Sequence, residues 1–429
     1  MNLLDLAYVV LAGLAAPFWM RKTRGDWPAR FGKGEALPPP TRPRVLLHAV
    51  SVGEVSALRT LVPLLAERAE VVISVGTDTG IARARDLFSG SCHIVRYPID
   101  FSWAVKRFLN RVRPDVVGLV ELEVWPNFTR DCVRRSIPVA VINGRLSARS
   151  FKGYRRLRFF FGRVFRRLAA AAVQDEAYAA RFRAMGVVGG RVQVTGTMKW
   201  DAATIQDDVP GAQELAKALG IDPSHPLIVA GSTAEGEEEL LHWACPTGAQ
   251  LLCAPRKPER FVEAASALPE CARRSQQRAA PLSTTRFLLD TIGELRKAYA
   301  LADIVVIGRS FGSLHGSDPI EPVALGKATV IGPAYGDFLV SVGALKDAGA
   351  ILETTRERLS DDLQALLADP GKRKQMAEAG RQCIRRHQGA SARHADLLLG
   401  LVRSSAAASG DPAIAPSAPP AQHAHEEAP

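Results

Sequence analysis

Short apolar runs rich in valine and isoleucine recur along the chain, each followed by a segment of helical pattern, and this alternation limits the fold more than any other feature. Strand-like runs lie at 44–50, 70–75, 92–96, 115–120, 137–142, 170–174 and 191–195, with helical patterns such as 54–68, 79–88, 101–111, 125–135 and 175–185 between them. Strands that are apolar throughout, rather than alternating, are buried on both faces, as in a parallel sheet covered by helices. A polar stretch at 201–226 interrupts the pattern. It then restarts, with strands expected at 227–231, 249–254, 284–289, 303–307, 328–331 and 350–353, and a long helical segment at 371–403. The expected fold class is α/β: two Rossmann-like, doubly wound parallel-sheet domains facing a cleft. No short-period repeat points to a solenoid.

The 429 residues and 47% hydrophobic content suffice for two cores and argue against a single small binding module. An excess of 55 Lys and Arg over 44 Asp and Glu, +11, favours an anionic partner. Six scattered cysteines form no C-x-x-C pair and have no histidine cluster beside them, so we expect reduced core thiols and no metal. Residues 1–20 are almost continuously apolar, with Arg21, Lys22 and Arg24 following, which leads us to expect a membrane-anchor helix at 1–22 with its basic flank cytoplasmic. Asp5 weakens a full span and leaves an interfacial helix open. The expected layout is then a linker at 23–43, a first domain at 44–200, an interdomain linker at 201–226, a second domain at 227–403 and a disordered tail at 404–429.

Ligands of open parallel sheets bind beyond the carboxyl ends of the strands. In "HAVSVGEV", Ser51 and Gly53 allow a tight turn, and Glu54 stands at a helix start, where the helix dipole also favours an acid. "ELEVWPN" ends a strand with Glu121 and Glu123, expected on one face of an alternating strand, and "NGRLSARS" supplies Asn143 and Arg145. In the second domain, "AGSTAEGEE" offers Ser232 and Thr233 in a turn suited to phosphate. Arg256 ends another strand in "PRKPER", and a glycine-rich loop holds Ser310, Gly312 and Asp318 before Glu321 opens a helix. Arginines interleaved with aromatics at 151–167 fit an amphipathic surface, and no nucleic-acid module is recognisable.

These motifs in this order, with "RFG" at 30–32, "GTMKWD" and "DPIEPVALGKATVIGP", resemble those of the 3-deoxy-D-manno-octulosonic acid (Kdo) transferases, from the amino-terminal segment to about residue 400. The resemblance implies the GT-B architecture, CMP-Kdo as donor, a lipid A precursor (lipid IVA) as acceptor in lipopolysaccharide synthesis, inversion at the anomeric carbon, no metal or other cofactor, and the cytoplasmic face of the inner membrane as the place of action. It makes Glu54 the general base and Glu121 a second essential acid. It makes Ser232, Thr233, Arg256, Ser310, Gly312, Asp318 and Glu321 donor residues, with Ser51, Gly53, Glu123, Asn143 and Arg145 left to the acceptor. The chain departs from the family pattern at Ala234 and Asp318, where histidine and asparagine are usual, and at Thr197, in place of asparagine. Two alternatives stay open: a divergent GT-B enzyme using another activated sugar, and an inactive paralogue that binds lipid or nucleotide.

Overall fold

The structure is a computed structural model that describes residues 2, 4–6, 8, 9, 25–276, 281 and 283–409. The chain divides into two compact units, one formed by residues up to Ala202 together with those from Gly389 onward, the other by Ala203–Gln388.

The first unit is built on seven strands: β1 (Arg44–Ala49), β2 (Glu70–Val75), β3 (His93–Arg96), β4 (Val116–Val120), β5 (Val139–Gly144), β6 (Ala170–Val173) and β7 (Val192–Val194). They lie in the order β3-β2-β1-β4-β5-β6-β7, every pair parallel. All seven fall on the expected runs; the five inner strands are buried almost throughout, which requires apolar residues on both faces, while the edge strands β3 and β7 are partly exposed. Helices Val52–Ala57, Leu61–Ala66 and Asp78–Phe88 enclose a core of Leu47, Leu61, Leu65 and Ile73 on one face. Helices Ser102–Val112, Pro126–Arg134 and Glu176–Met185 enclose Phe108, Phe128, Phe165 and Phe182 on the other.

The second unit repeats the plan with β8 (Leu227–Thr233), β9 (Gln250–Pro255), β10 (Ala272–Arg273), β11 (Arg286–Leu288), β12 (Ile304–Ile307), β13 (Ala328–Ile331) and β14 (Ile351–Glu353). Its order is β10-β11-β9-β8-β12-β13-β14, again all parallel. The two-residue edge strand β10 is too short to leave an apolar run and was not expected. Gly231 and Gly308 let this sheet close up. A Cβ on Gly231 would lie 1.9 Å from the Tyr299 hydroxyl, and one on Gly308 would lie 2.6 Å from the Ser232 carbonyl oxygen.

Three expectations need correction. The stretch 201–226 is not a bare linker, since helix Ala212–Leu219 buries Ala212, Leu215 and Leu219 in the second unit. The long helix at 371–403 is two helices, Pro370–His387 and Ala390–Ser409, broken at Gly389, whose φ of +98° no continuing helix allows. The second of these belongs to the first unit, so the second domain ends near Gln388 rather than at 403. Asp201 fixes its start by accepting from the amides of Gly389 at 2.6 Å and Ser391 at 2.5 Å. Leu398, Leu399 and Val402 then fill the Leu47 core.

The expected inner-membrane localisation through a spanning helix is also overturned. Among the described residues no helix is long and apolar enough to cross a membrane. Most of the expected anchor, 10–22, lies outside the described residues, as do 410–429 of the expected tail. Of the described part, Asp5 is fully buried in the first unit. It accepts from the Ser102 amide at 2.8 Å, the Ser102 hydroxyl at 2.5 Å and the Asn127 side-chain amide at 3.2 Å. Tyr8 donates its hydroxyl to Asp100 at 3.0 Å. The acid that seemed a flaw in an apolar span is thus a docking residue.

Leu398→Ala should cost about 2–5 kcal/mol in the first unit, the usual loss for truncating a fully buried leucine. Hydrogen exchange followed by mass spectrometry should show faster exchange in β4 with β12 unchanged, and the reverse pattern would place the helix in the other unit.

Candidate active site

In each sheet the chain reverses its direction of winding once. β1 has β2 on one side and β4 on the other, and β8 has β9 and β12. The crevice beyond the carboxyl ends of such a pair is where doubly wound sheets bind ligands. The predicted acids follow β1 and β4, and the predicted donor residues lie at or beyond the ends of β8, β9 and β12.

In the first unit β1 runs through Val50 into the short helix Val52–Ala57, whose N-cap is Ser51. The Ser51 hydroxyl oxygen accepts from the Glu54 amide at 3.3 Å and donates to Glu54 Oε1 at 2.8 Å. The Val50 amide donates to Oε2 at 2.8 Å. Glu54 is therefore a capping-box acid in its local geometry, and it stands at the switch point as well. Two donors occupy two of about four lone-pair sites on a carboxylate, so the group keeps capacity to accept a further proton. Gly53 lies inside the helix, and its added Cβ would meet only the Ser51 oxygen, at 3.8 Å, so the turn does not depend on it as expected.

Glu121 and Glu123 do not share a strand face. β4 ends at Val120, and Glu121 has a φ of +58°. This left-handed conformation is uncommon for a side chain of its size and marks a locally imposed turn. The turn is held by the Glu121 amide on the Ile142 carbonyl at 3.0 Å and by the Arg145 amide on the Glu121 carbonyl at 3.3 Å. Burial raises the Glu121 carboxyl above the usual range, the charge of Glu54 adds to this, and Arg145 and Lys199 oppose it. Burial, then the charge of Glu54, pushes Glu123 up to about 7, although the Trp125 indole donates to it at 3.0 Å. Three carboxylates from two adjacent strand ends thus act on one another electrostatically. Like charges brought together out of water keep a proton into the neutral range.

The two other acceptor candidates differ. Arg145 is exposed, with its charge felt at Glu121. Asn143 is 2% exposed with a φ of +50°, and its side-chain oxygen accepts from the Met198 amide at 3.1 Å. Its own amide donates to Nε2 of buried His394 at 3.2 Å. Its backbone amide and side-chain oxygen secure the irregular end of β5 and the returning helix.

In the second unit the turn after β8 is occupied by the chain's own acids. Ser232 is left-handed, with a φ of +59°, and Thr233 donates its hydroxyl to Glu238 at 2.6 Å. Glu238 is also gripped by both Arg260 terminal nitrogens at 2.9 Å. Buried Glu237 accepts from the amides of Ala234 (2.9 Å), Arg309 (2.6 Å), Ser310 (3.0 Å) and Phe311 (3.0 Å). One carboxylate therefore ties the end of β8 to the loop after β12, and its "GEEE" setting gives no hint of this. Ser310 is fully buried, donating to the Ile307 carbonyl at 2.6 Å and accepting from the Gly332 amide at 2.8 Å, so its hydroxyl builds the loop instead of facing a donor.

Arg256 is exposed at the end of β9, its amide on the Thr233 carbonyl at 3.1 Å. Asp318 caps Ile320 at 3.0 Å, and Gly312 is exposed with open space around it. Glu321 pairs with Arg296 at 3.1 Å. Burial raises the phenol of Tyr299, the charges of Glu321 and Asp318 raise it further, and Arg256 opposes them, so the charges of these three predicted residues are felt at one hydroxyl. Sequence reasoning missed Tyr299 and Arg296, which sit in no distinctive motif, and Glu237 and Lys199, which lie inside "AGSTAEGEE" and "GTMKWD" but were not singled out there. Among the described residues no group of three or more His, Cys, Asp or Glu is arranged to hold a metal ion.

Two α/β units, each with polar groups gathered at its switch point, have a GT-B-like fold. A glycosyltransferase from Rickettsia africae shares this fold, with a TM-score of 0.57 over 85% of this chain and 99% of its own at 10% identity. A family model described as 3-deoxy-D-manno-octulosonic-acid transferase matches residues 25–202. A 3-deoxy-D-manno-octulosonic acid transferase of Bordetella pertussis is 34% identical over 91% of this chain and 97% of its own. One of Haemophilus influenzae is 29% identical over 92% and 95%. The chain belongs to the 3-deoxy-D-manno-octulosonic acid transferase family.

The Glu123 geometry fixes a pH dependence. With a folded pKa of about 7 against an ordinary 4.5, its protonated form stabilises the fold at low pH. That contribution should fade as pH rises from about 4.5 through 7. Urea melts across this window should show stability of the first unit falling with pH in the parent and falling less in Glu123→Gln.

Proposed function

We propose that this enzyme transfers Kdo from CMP-Kdo to a lipid A precursor, lipid IVA, with inversion at the anomeric carbon. The observation that carries this reading is the convergence of Glu54, Glu121 and Glu123 at the β1 and β4 ends of a chain belonging to the Kdo transferase family. Glu54 takes the proton of an acceptor hydroxyl as its oxygen attacks the anomeric carbon. The bond from the anomeric carbon to the phosphate oxygen breaks on the opposite face, and its electron pair leaves with cytidine monophosphate. Inversion follows from a single displacement. Arg256 supplies the cation for the departing phosphate, and Glu321 accepts the ribose hydroxyls, with Arg296 orienting its carboxylate. This division of labour assigns the leaving-group charge to protein donors rather than to a metal.

A second reading, another activated sugar as donor, is favoured by Ala234, Asp318 and Thr197. Ala234 lies in the turn whose amide Glu237 holds, and Asp318 lies beside Tyr299, so both changes fall in the predicted donor region.

Incubation of the purified protein with CMP-Kdo and tetra-acylated lipid A precursor should give products heavier by whole Kdo units in mass spectrometry. No product with CMP-Kdo, but product with another nucleotide sugar, would transfer the assignment to the second reading.

A further inference from the structure

The first unit carries a second polar cavity that the reaction above does not use. It has a volume of about 490 Å³ and opens between helices Ser102–Val112 and Pro126–Arg134. Its wall holds four cations, Lys106, Arg130, Arg134 and Arg135, against one carboxylate, Asp131. Asp131 is engaged with Arg135 at 3.8 Å. The carboxylates behind the wall are also committed. Asp100 accepts from the Asn127 and Phe128 amides and the Tyr8 hydroxyl, and Asp5 from Ser102, Asn2 and Asn127.

Among the described residues Lys106, Arg130 and Arg134 form no ion pair, while Arg135 is held by Asp131 and by the Asn110 side-chain oxygen at 2.8 Å. Arg130 gives one terminal nitrogen to the Asn127 side-chain oxygen at 2.8 Å, but its Nε is buried with no hydrogen-bond partner. Among the described residues the side chains of Lys106 and Arg134 meet no acceptor. Nearby Arg167 is held below its ordinary pKa by burial and then by the charges of Arg130, Arg134 and Arg163, with no carboxylate opposing them. Uncompensated cations gathered at a concave surface are an electrostatic trap for a multivalent anion, and arginine forks fit phosphate oxygens in particular. Trp103 supplies an apolar wall, held in place by stacking on Phe101 and Phe31 at 5.9 and 5.5 Å.

We infer that this cavity is a binding site for a phosphate-bearing small molecule about the size of a phosphosugar, its phosphate held by Arg130, Arg134 and Lys106 and its uncharged part lying against Trp103. The volume falls in the range of small-molecule sites, far above the need of a single bare ion.

Calorimetric titration of the full chain at low ionic strength with inorganic pyrophosphate and with glucose 6-phosphate tests this. Saturable binding of both is expected, weakened at least tenfold by Lys106→Gln with Arg134→Gln. The equally charge-reducing pair Arg68→Gln with Arg85→Gln, elsewhere on the first unit, should leave the affinity unchanged. Circular dichroism confirms that both variants fold. The inference is overturned by the absence of saturable binding, by equal weakening in the two pairs, or by binding to phosphatidic acid vesicles with none to the soluble phosphates.

Discussion

Parallel pairing is the constraint from which the rest follows. A sheet in which every strand points the same way delivers every strand end to one edge, and a single reversal of winding opens one crevice there. In this chain that crevice lies between β1 and β4 in the first unit and between β8 and β12 in the second. Most residues with polar work to do follow those four strands, with Asn143 and Arg145 at the end of β5 and Arg256 at the end of β9 beside them. The local chemistry then differs: the first crevice gathers acids, while the second uses buried acids to hold its own loops.

That difference is electrostatic. Glu54, Glu121 and Glu123 are partly withdrawn from water and close enough to disturb one another, so ionising all three together is costly. The cost shows in Glu121 and Glu123, whose carboxyls are raised above the usual range, Glu123 to about 7. In the second unit the opposite solution operates. Glu237 is satisfied by four backbone amides and Glu238 by Thr233 and a two-pronged Arg260, which makes them structural anions that fix the β8 turn and the β12 loop. Arg256 and Glu321 then stand on a scaffold whose internal charges are already balanced.

Much of the fold was legible in the sequence because doubly buried strands have to be apolar along their whole length. All seven strands of the first sheet showed as apolar runs, whereas Ala272–Arg273 was too short to show. The positions of Glu54, Glu121 and Arg256 just beyond strand ends were legible for the same reason, and Glu321 was legible at the start of its helix. Backbone handedness was not. The left-handed turn at Glu121 and the inward-facing Asn143 depend on tertiary hydrogen bonds that no local spacing encodes. The break at Gly389 had a signal in the glycine itself, but the return of the following helix to the first unit rests on Asp201 and on long-range packing of Leu398. Asp5 was read as a defect in an apolar segment because its partners, Ser102 and Asn127, lie about a hundred residues away.

The central claim is that the acid closing the β1 turn is the base of the transfer reaction. Glu54→Gln keeps an oxygen that can accept from the Val50 amide, so the turn has what it needs to form, while the proton-accepting capacity is gone. The direct measurement is the turnover of this variant at saturating CMP-Kdo and lipid A precursor. The account predicts a fall in kcat of roughly 10²–10⁴ with CMP affinity unchanged, the range for removal of a general base. Turnover equal to that of the parent enzyme would contradict it.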